Sequence, residues 1–380
     1  MPLLREGTAL SARFKGALQR AGIHAVYICD PETEGIEPER VLSEETRAAA
    51  TRAVARAFDG ARDATTAGRA LNAQELSELS GIAERMAAEI GQTDEFALAL
   101  ADLSAADSYT LQHSVDVATL GLLIGHRLFR ERGYVDYRGR RSWEKVDARL
   151  TRLGLGLLLH DIGKLTVPSE ILNKPGKLDP EEWEIMKGHP MAGVELLRSD
   201  LISPLVKIVV RSHHERWDGG GYPEGKAGTE IHELARIAAV ADVYDAVTSE
   251  RVYAPARPAH IGVRIIREGS GTTFDPEIVE FFSQIVAPFP AGDPIDLTDG
   301  RSGVVARVPE GDIDRPVVRV LNDGSPYDLA LSEHPRLLIQ GWEDMERIEE
   351  QGARSMEPGA AGDFDPSPLL LAPRSFAPRR

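Results

Sequence analysis

The 380-residue chain holds a single cysteine, Cys29. One thiol excludes an internal disulfide framework and the Cys-rich zinc sites, each of which needs several. Long apolar runs are missing as well, and none approaches the ~20 residues of a membrane-spanning helix. The opening MPLLREGTALSARFKGALQR lacks the apolar core and small-residue cleavage site of a secretory signal, so a cytoplasmic location is expected. No fixed-period repeat recurs. Positive charge is in deficit, with 44 Lys and Arg against 60 Asp and Glu and a net charge of −16. Such a surface repels polyanions, which argues against a nucleic-acid polymer or an anionic membrane as partner. An anionic substrate would need a local positive trap, either a metal or a few placed cations. The remainder is ordinary globular composition, 42% hydrophobic and 27% charged, in a chain long enough for two or three domains.

Residues 1–70 read as a small α-rich unit, in which AVYICD (25–30) is a short β-type run and Ser43 opens an Ala/Arg-rich helix. Leu76, Leu79, Ile82, Met86 and Ile90 recur at helical spacing and begin a helical stretch that lasts to about residue 286. Within it, Asp179-Pro180-Glu181-Glu182 combines an N-cap, a proline at the first helical position and a glutamate at the third. Beyond Ala287-Pro288-Phe289-Pro290 the texture changes. GVVARV and RPVVRVL, β-branched runs separated by Asp-Gly turns, predict a small β module over 288–342. Residues 343–380 are proline-rich without periodicity and are expected to form a disordered tail. The expected fold is mainly α: a helical bundle over 71–287, with a small α-rich N-terminal unit and a small β-rich C-terminal module.

The chemistry gathers in the histidines. His160-Asp161 ends the apolar run LGLLL, and burying that pair is expensive unless a cation compensates it. His189 follows in KGHP, His213-His214 in VVRSHHERWDGGGYP and Asp242 in IAAVADVYDAVTS, while His113 precedes them in DSYTLQHSVDV. Each lies on its own helix or helix end, and a bundle could point them all at one centre. Imidazoles and carboxylates without thiolate suit Fe, Mn, Zn or Ni rather than Ca. A lone histidine in a helix is usually a core or surface residue, and His24, His126, His232, His260 and His334 are read that way. Residues 127–145 carry seven Lys/Arg against three Asp/Glu and are expected to form a solvated loop.

HDIGK (160–164), HHERWDGGGYP (213–223) and ADVYDAVTSERVY (241–253), in this order and spacing, resemble the HD-GYP family of metal-dependent phosphohydrolases over about 100–285. The resemblance implies a helical HD core that hydrolyses cyclic di-GMP to linear pGpG and/or GMP. It implies His160, Asp161, His189, His213, His214 and Asp242 as metal ligands, with Asp161 bridging two ions, and His113 as the match to the first histidine of the pattern. Tyr109, four residues before His113, cannot supply a carboxylate to a third metal site, so two ions are expected, Fe or Mn foremost and Zn or Ni as alternatives. Two metals about 3.5–4 Å apart can share a hydroxide of lowered pKa and neutralise phosphate oxygens for in-line displacement. Lys164, one turn after His160, would face the same pocket and stabilise a phosphoryl oxygen of the substrate, acting with Asp161 in catalysis. Arg251 matches a family arginine that grips the ligand's phosphate or guanine. Gly221-Tyr222-Pro223 would form a loop that displays its tyrosine and proline and docks diguanylate cyclase (GGDEF) domains. Ala254 stands where many members carry a lysine, which removes one cation from ligand capture. Two alternatives remain open: a signalling adaptor acting by ligand binding or GYP-mediated contact, and a phosphohydrolase for another nucleotide.

Overall fold

The computed structural model describes residue 14 and residues 33–36, 41–66, 73–92, 109–174, 176–249, 256–321 and 325–342. The run at 25–30, Arg251, Ala254 and the tail 343–380 lie outside the described residues.

The first helix, α1 (Glu44–Thr66), starts where the Thr46 N–H donates to the Ser43 hydroxyl at 3.2 Å. Its buried residues, Ala50, Ala53, Val54, Ala57, Phe58 and Ala61, follow the helical period. They pack on α2 (Ala73–Ile90), which buries Leu76, Leu79, Ile82, Met86 and Ile90 as expected. This alters the organisation read from sequence. Rather than belonging to a separate unit of residues 1–70, α1 groups with the helical bundle, because its alanine stripe is covered by α2.

The bundle continues through α3 (Tyr109–Glu131), α4 (Val146–Leu159), a 3-10 turn (Ile162–Thr166), the short α5 (Ser169–Leu172), α6 (Pro180–Lys187), α7 (His189–Leu196), α8 (Pro204–Ser212), α9 (Glu233–Thr248), α10 (Ala259–Glu268) and α11 (Pro276–Ile285). The capping box at α6 forms: Asp179 accepts from the Glu181 and Glu182 N–H groups, and Glu182 reaches back to the Asp179 N–H. α4 packs on α2 and α8, and α9 packs on α8, α10 and α11. α9 is buried from Glu233 to Val247 apart from Arg236, so it has almost no polar face. A helix buried on nearly every side is a central one. The acids it carries, Asp242 and Asp245, are therefore forced into the interior.

The basic stretch 127–145 is largely exposed, as expected, but it is ordered rather than irregular. It turns through an antiparallel pair, β1 (Tyr134–Val135) and β2 (Arg141–Ser142), with Tyr134 opposite Ser142. Arg132 pairs with Glu277 and Glu280, and Arg141 pairs with the buried Glu233 at 2.8 Å and with Glu277 at 2.5 Å. Acids of α9 and α11 thus pair with Arg132 and Arg141 and clamp the hairpin.

The β module groups outside the helical bundle, in a second compact unit. Strands β3 (Pro294–Asp296), β4 (Ser302–Arg307), β5 (Val317–Val320) and β6 (Tyr327–Ala330) form an antiparallel meander in the order β3-β4-β5-β6. Val305, Val318, Val320 and Leu297 are buried, and the Phe289 and Trp342 rings meet edge to face at 5.5 Å. Among the described residues no helix is long and apolar enough to cross a membrane.

Candidate metal centre

Three of the expected ligands sit at helix boundaries, where backbone carbonyls lack intrahelical partners. His160 caps α4 and its Nδ1–H donates to the Leu157 carbonyl at 2.7 Å. His189 opens α7 and donates to Met186 at 2.8 Å; His213 caps α8 and donates to Val210 at 2.9 Å. A carbonyl can only accept, so the proton in each ring is on Nδ1 and the lone pair is on Nε2. The same device, a bond three residues back, aims three Nε2 atoms inward.

His113 is held differently. Its Nδ1 lies 2.5 Å from Asp245 Oδ2, and the other Asp245 oxygen accepts from the Ser249 hydroxyl at 2.9 Å. His113 Nε2 then faces Asp242 Oδ1 at 3.2 Å and Asp161 Oδ2 at 3.6 Å.

Asp161 stands between two sets of donors. Its Oδ1 lies 3.5 Å from His189 Nε2 and 3.9 Å from His213 Nε2. Its Oδ2 lies 3.5 Å from His160 Nε2, on the side that also holds His113. Asp242 places Oδ1 3.8 Å from His160 Nε2 and Oδ2 3.8 Å from His214 Nδ1. Donor atoms of Asp161, His189, His213 and His214 lie within 4.8 Å of one another, as do those of His113, His160 and Asp242. All seven residues are buried.

Burial penalises charge on the imidazoles and, with Lys164 adding repulsion, takes His189 down to about 3. It takes His213 to about 4 with His160 as the next cause, and it lowers His160 and His214 too. These four rings are neutral at physiological pH, the form in which imidazole binds a metal. Burial would raise Asp161, but the Lys164 ammonium, 2.6 Å from Oδ2, and the neighbouring histidines hold it well below the usual carboxylate range. Burial likewise opposes ionisation of Asp242, and the hydrogen bond from His113 outweighs it. For His113 burial disfavours the cation, yet hydrogen bonds to Asp242 and Asp245 raise it to about 10.

The donor set fits a divalent metal. His160 Nε2 and Asp161 Oδ1 are buried without a hydrogen-bond partner, an arrangement that costs free energy unless a cation satisfies both. Nitrogen and carboxylate oxygen without thiolate suit a borderline transition metal.

The structure brings together all seven expected ligands, including His113. Lys164 is buried beside Asp161. Gly163 permits this crowding: a Cβ there would strike the backbone of His189 and Gly193, so only glycine lets the turn carrying Lys164 lie against α7. Tyr222 departs from expectation. Its ring is not displayed but stacks on His214, with centroids 4.7 Å apart and planes at 29°, and Trp183 meets its edge. The cause is local. A Cβ at Gly221 would strike the backbone of Glu215 and Arg216, and the Tyr222 N–H donates to the His214 carbonyl at 3.1 Å, so the loop folds back over the histidine doublet.

Two contributors went unread in the sequence. Asp245 orients His113, and its position one turn after Asp242 on a buried helix was an available signal. Glu215 accepts the Glu224 and Lys226 N–H groups at 2.8 and 3.0 Å and so fixes the GYP loop; nothing local marks it beyond following the His-His pair.

Residues 126–278 match the family model of the HD domain. Every expected ligand except His113 falls inside the match. The chain is 39% identical over 276 residues to a cyclic di-GMP phosphodiesterase of Pseudomonas aeruginosa, covering 71% of this chain and 62% of that protein. It is 40% identical over 164 residues to a cyclic di-GMP phosphodiesterase of Thermotoga maritima, covering 42% and 44% of the two chains. A 3'3'-cGAMP-specific phosphodiesterase of Vibrio cholerae is 42% identical over 125 residues, 32% of this chain and 24% of that one. The chain thus spans less than two thirds of the length of each of these relatives.

Proposed function

We propose that the chain is a metal-dependent phosphodiesterase that hydrolyses cyclic di-GMP to linear pGpG and/or GMP. The observation that carries this is the Asp161 carboxylate, one oxygen facing His189 and His213 and the other facing His160 and His113. That arrangement suits a pair of divalent ions, Fe or Mn foremost, with His189, His213 and His214 holding one, His113, His160 and Asp242 the other, and Asp161 shared. When bound, such ions neutralise phosphate oxygens and lower the pKa of water. The chain's own groups do the rest. The backbone-anchored imidazoles and the Asp245-held His113 keep the donors in place. Lys164 keeps Asp161 ionised and places an ammonium beside the centre for a phosphoryl oxygen. Arg251 is assigned to the ligand's phosphate or guanine on the strength of its motif position.

The similarity to a cGAMP-specific enzyme favours a second reading, in which another cyclic dinucleotide is the substrate. A GGDEF domain docking on the GYP loop would meet the exposed Glu224 and Gly225, since Tyr222 is turned inward.

The test combines elemental analysis of anaerobically purified protein with chromatography of products from cyclic di-GMP and from 3'3'-cGAMP. About two metal ions per chain and conversion of cyclic di-GMP are expected. Faster turnover of cGAMP supports the second reading, and metal-loaded protein that cleaves neither leaves the adaptor as the better description.

A further inference from the structure

Asp116 lies on α3 three residues after His113, so the two share one face of the helix. Its side chain is 1% exposed. Oδ1 accepts from Arg47 Nη1 at 2.7 Å and from Gln112 Nε2 at 2.9 Å, while Oδ2 is buried without a partner. Arg47 comes from the first turn of α1, 69 residues away in sequence. Burial pushes the Asp116 carboxyl up, Arg47 pulls it down, and the negative charge of Asp245 pushes it up again. Asp245 therefore acts on both groups, bonding the His113 ring and repelling Asp116. α1 also packs on the 3-10 turn that carries Lys164.

We propose that Arg47 is a positioning residue for the His113 half of the metal centre. By pairing with Asp116 beneath that centre, it holds α3 in the rotation that presents His113 to Asp245 and to the donors His160 and Asp242. The inference rests on the metal-centre reading and needs no particular substrate. A second ion pair between α1 and α2, Arg56 with Glu78, is exposed and serves as the control for general loosening of α1.

The experiment titrates the metal-stripped full chain with Co2+, following the visible absorption of cobalt held by imidazole and carboxylate. The wild type is expected to take up two equivalents. Arg47→Met should leave one equivalent unchanged and weaken the other by about ten- to a hundredfold, the usual cost of losing an outer support of a metal ligand. Arg47→Lys, which keeps the charge, should recover most of the loss, and Arg56→Met should bind as the wild type does. Wild-type titrations for Arg47→Met, equal weakening in Arg56→Met, or fewer than two equivalents in the wild type would each overturn the inference. If Arg47→Met does not fold, the double variant Arg47→Met/Asp116→Asn leaves no unpaired buried carboxylate and must show the same selective loss. Wild-type-like cobalt binding in the double variant refutes the inference. A wild type that binds two equivalents but cleaves no cyclic dinucleotide contradicts only the phosphodiesterase proposal.

Discussion

Asp161 is where the site's chemistry converges, since both of its oxygens face buried imidazole nitrogens and Lys164 neutralises it from the side. An amide in its place bridges two cations poorly. Asp161→Asn should therefore lose both metal occupancy and turnover, measured by elemental analysis and product assay on one preparation. Lys164→Ala should separate the two properties. It removes none of the seven donors, and bound cations would themselves keep Asp161 ionised, so metal content should stay at the wild-type level, while kcat falls roughly ten- to a thousandfold if the ammonium meets developing phosphoryl charge. His232 offers a residue-scale effect away from the centre. Its Nδ1 accepts the Leu234 N–H at the start of α9, and burial, with repulsion from Arg149 and Arg236, lowers it to about 4. An unfolded chain protonates this ring below about 6.5 whereas the folded chain does not. Its contribution to stability is thus present above pH 6.5 and lost as pH falls toward 4, at most roughly 3 kcal/mol. His232→Asn keeps an N-cap acceptor without the titration. The drop in denaturation midpoint between pH 7.5 and pH 5 should be smaller in this variant than in the wild type.

At the scale of elements, the site depends on helix ends more than on helix middles. α4, α7 and α8 each turn a terminal histidine back onto a carbonyl of its own chain, which couples the existence of the helix end to the aim of the ligand. The 3-10 turn after α4 then has to pass close to α7, and Gly163 is the residue that lets it. Gly163→Ala should cost about 1–3 kcal/mol through overpacking against backbone that cannot move aside. A lowered Tm with weakened metal binding is the expected pair of outcomes, because the displaced backbone is that of His189. Loss of stability with unchanged metal affinity would mean that the turn and α7 adjust independently. α9 does the opposite job. Its burial on almost every side carries Asp242 and Asp245 inward together, one facing the donors and the other facing the His113 ring.

For the whole molecule, the net charge of −16 surrounds the proposed phosphodiester site with a repulsive field. The Debye length shrinks from about 30 Å at 0.01 M salt to about 8 Å at 0.15 M. The kcat/KM for a cyclic dinucleotide should therefore rise over that range, on the order of twofold, before specific salt effects intervene. A falling dependence would show that the local cations, not the acidic surface, govern encounter. Much of this protein was legible from residue order alone. The core positions of α2, the cap of α6 and two strands of the β module follow from periodicity and cap chemistry, which are properties of a few neighbouring residues, and the seven candidate metal donors were marked by donor type and by resemblance to a family's motifs. What only the tertiary structure decided involves partners far apart in the chain. It sorts the donors around Asp161, joins α1 to the bundle, pairs Arg132 and Arg141 with acids of α9 and α11, and sets Arg47 against Asp116. Each of these depends on how one helix is rotated against another, and that rotation is set by the packing of whole faces. No local pattern of residues encodes it.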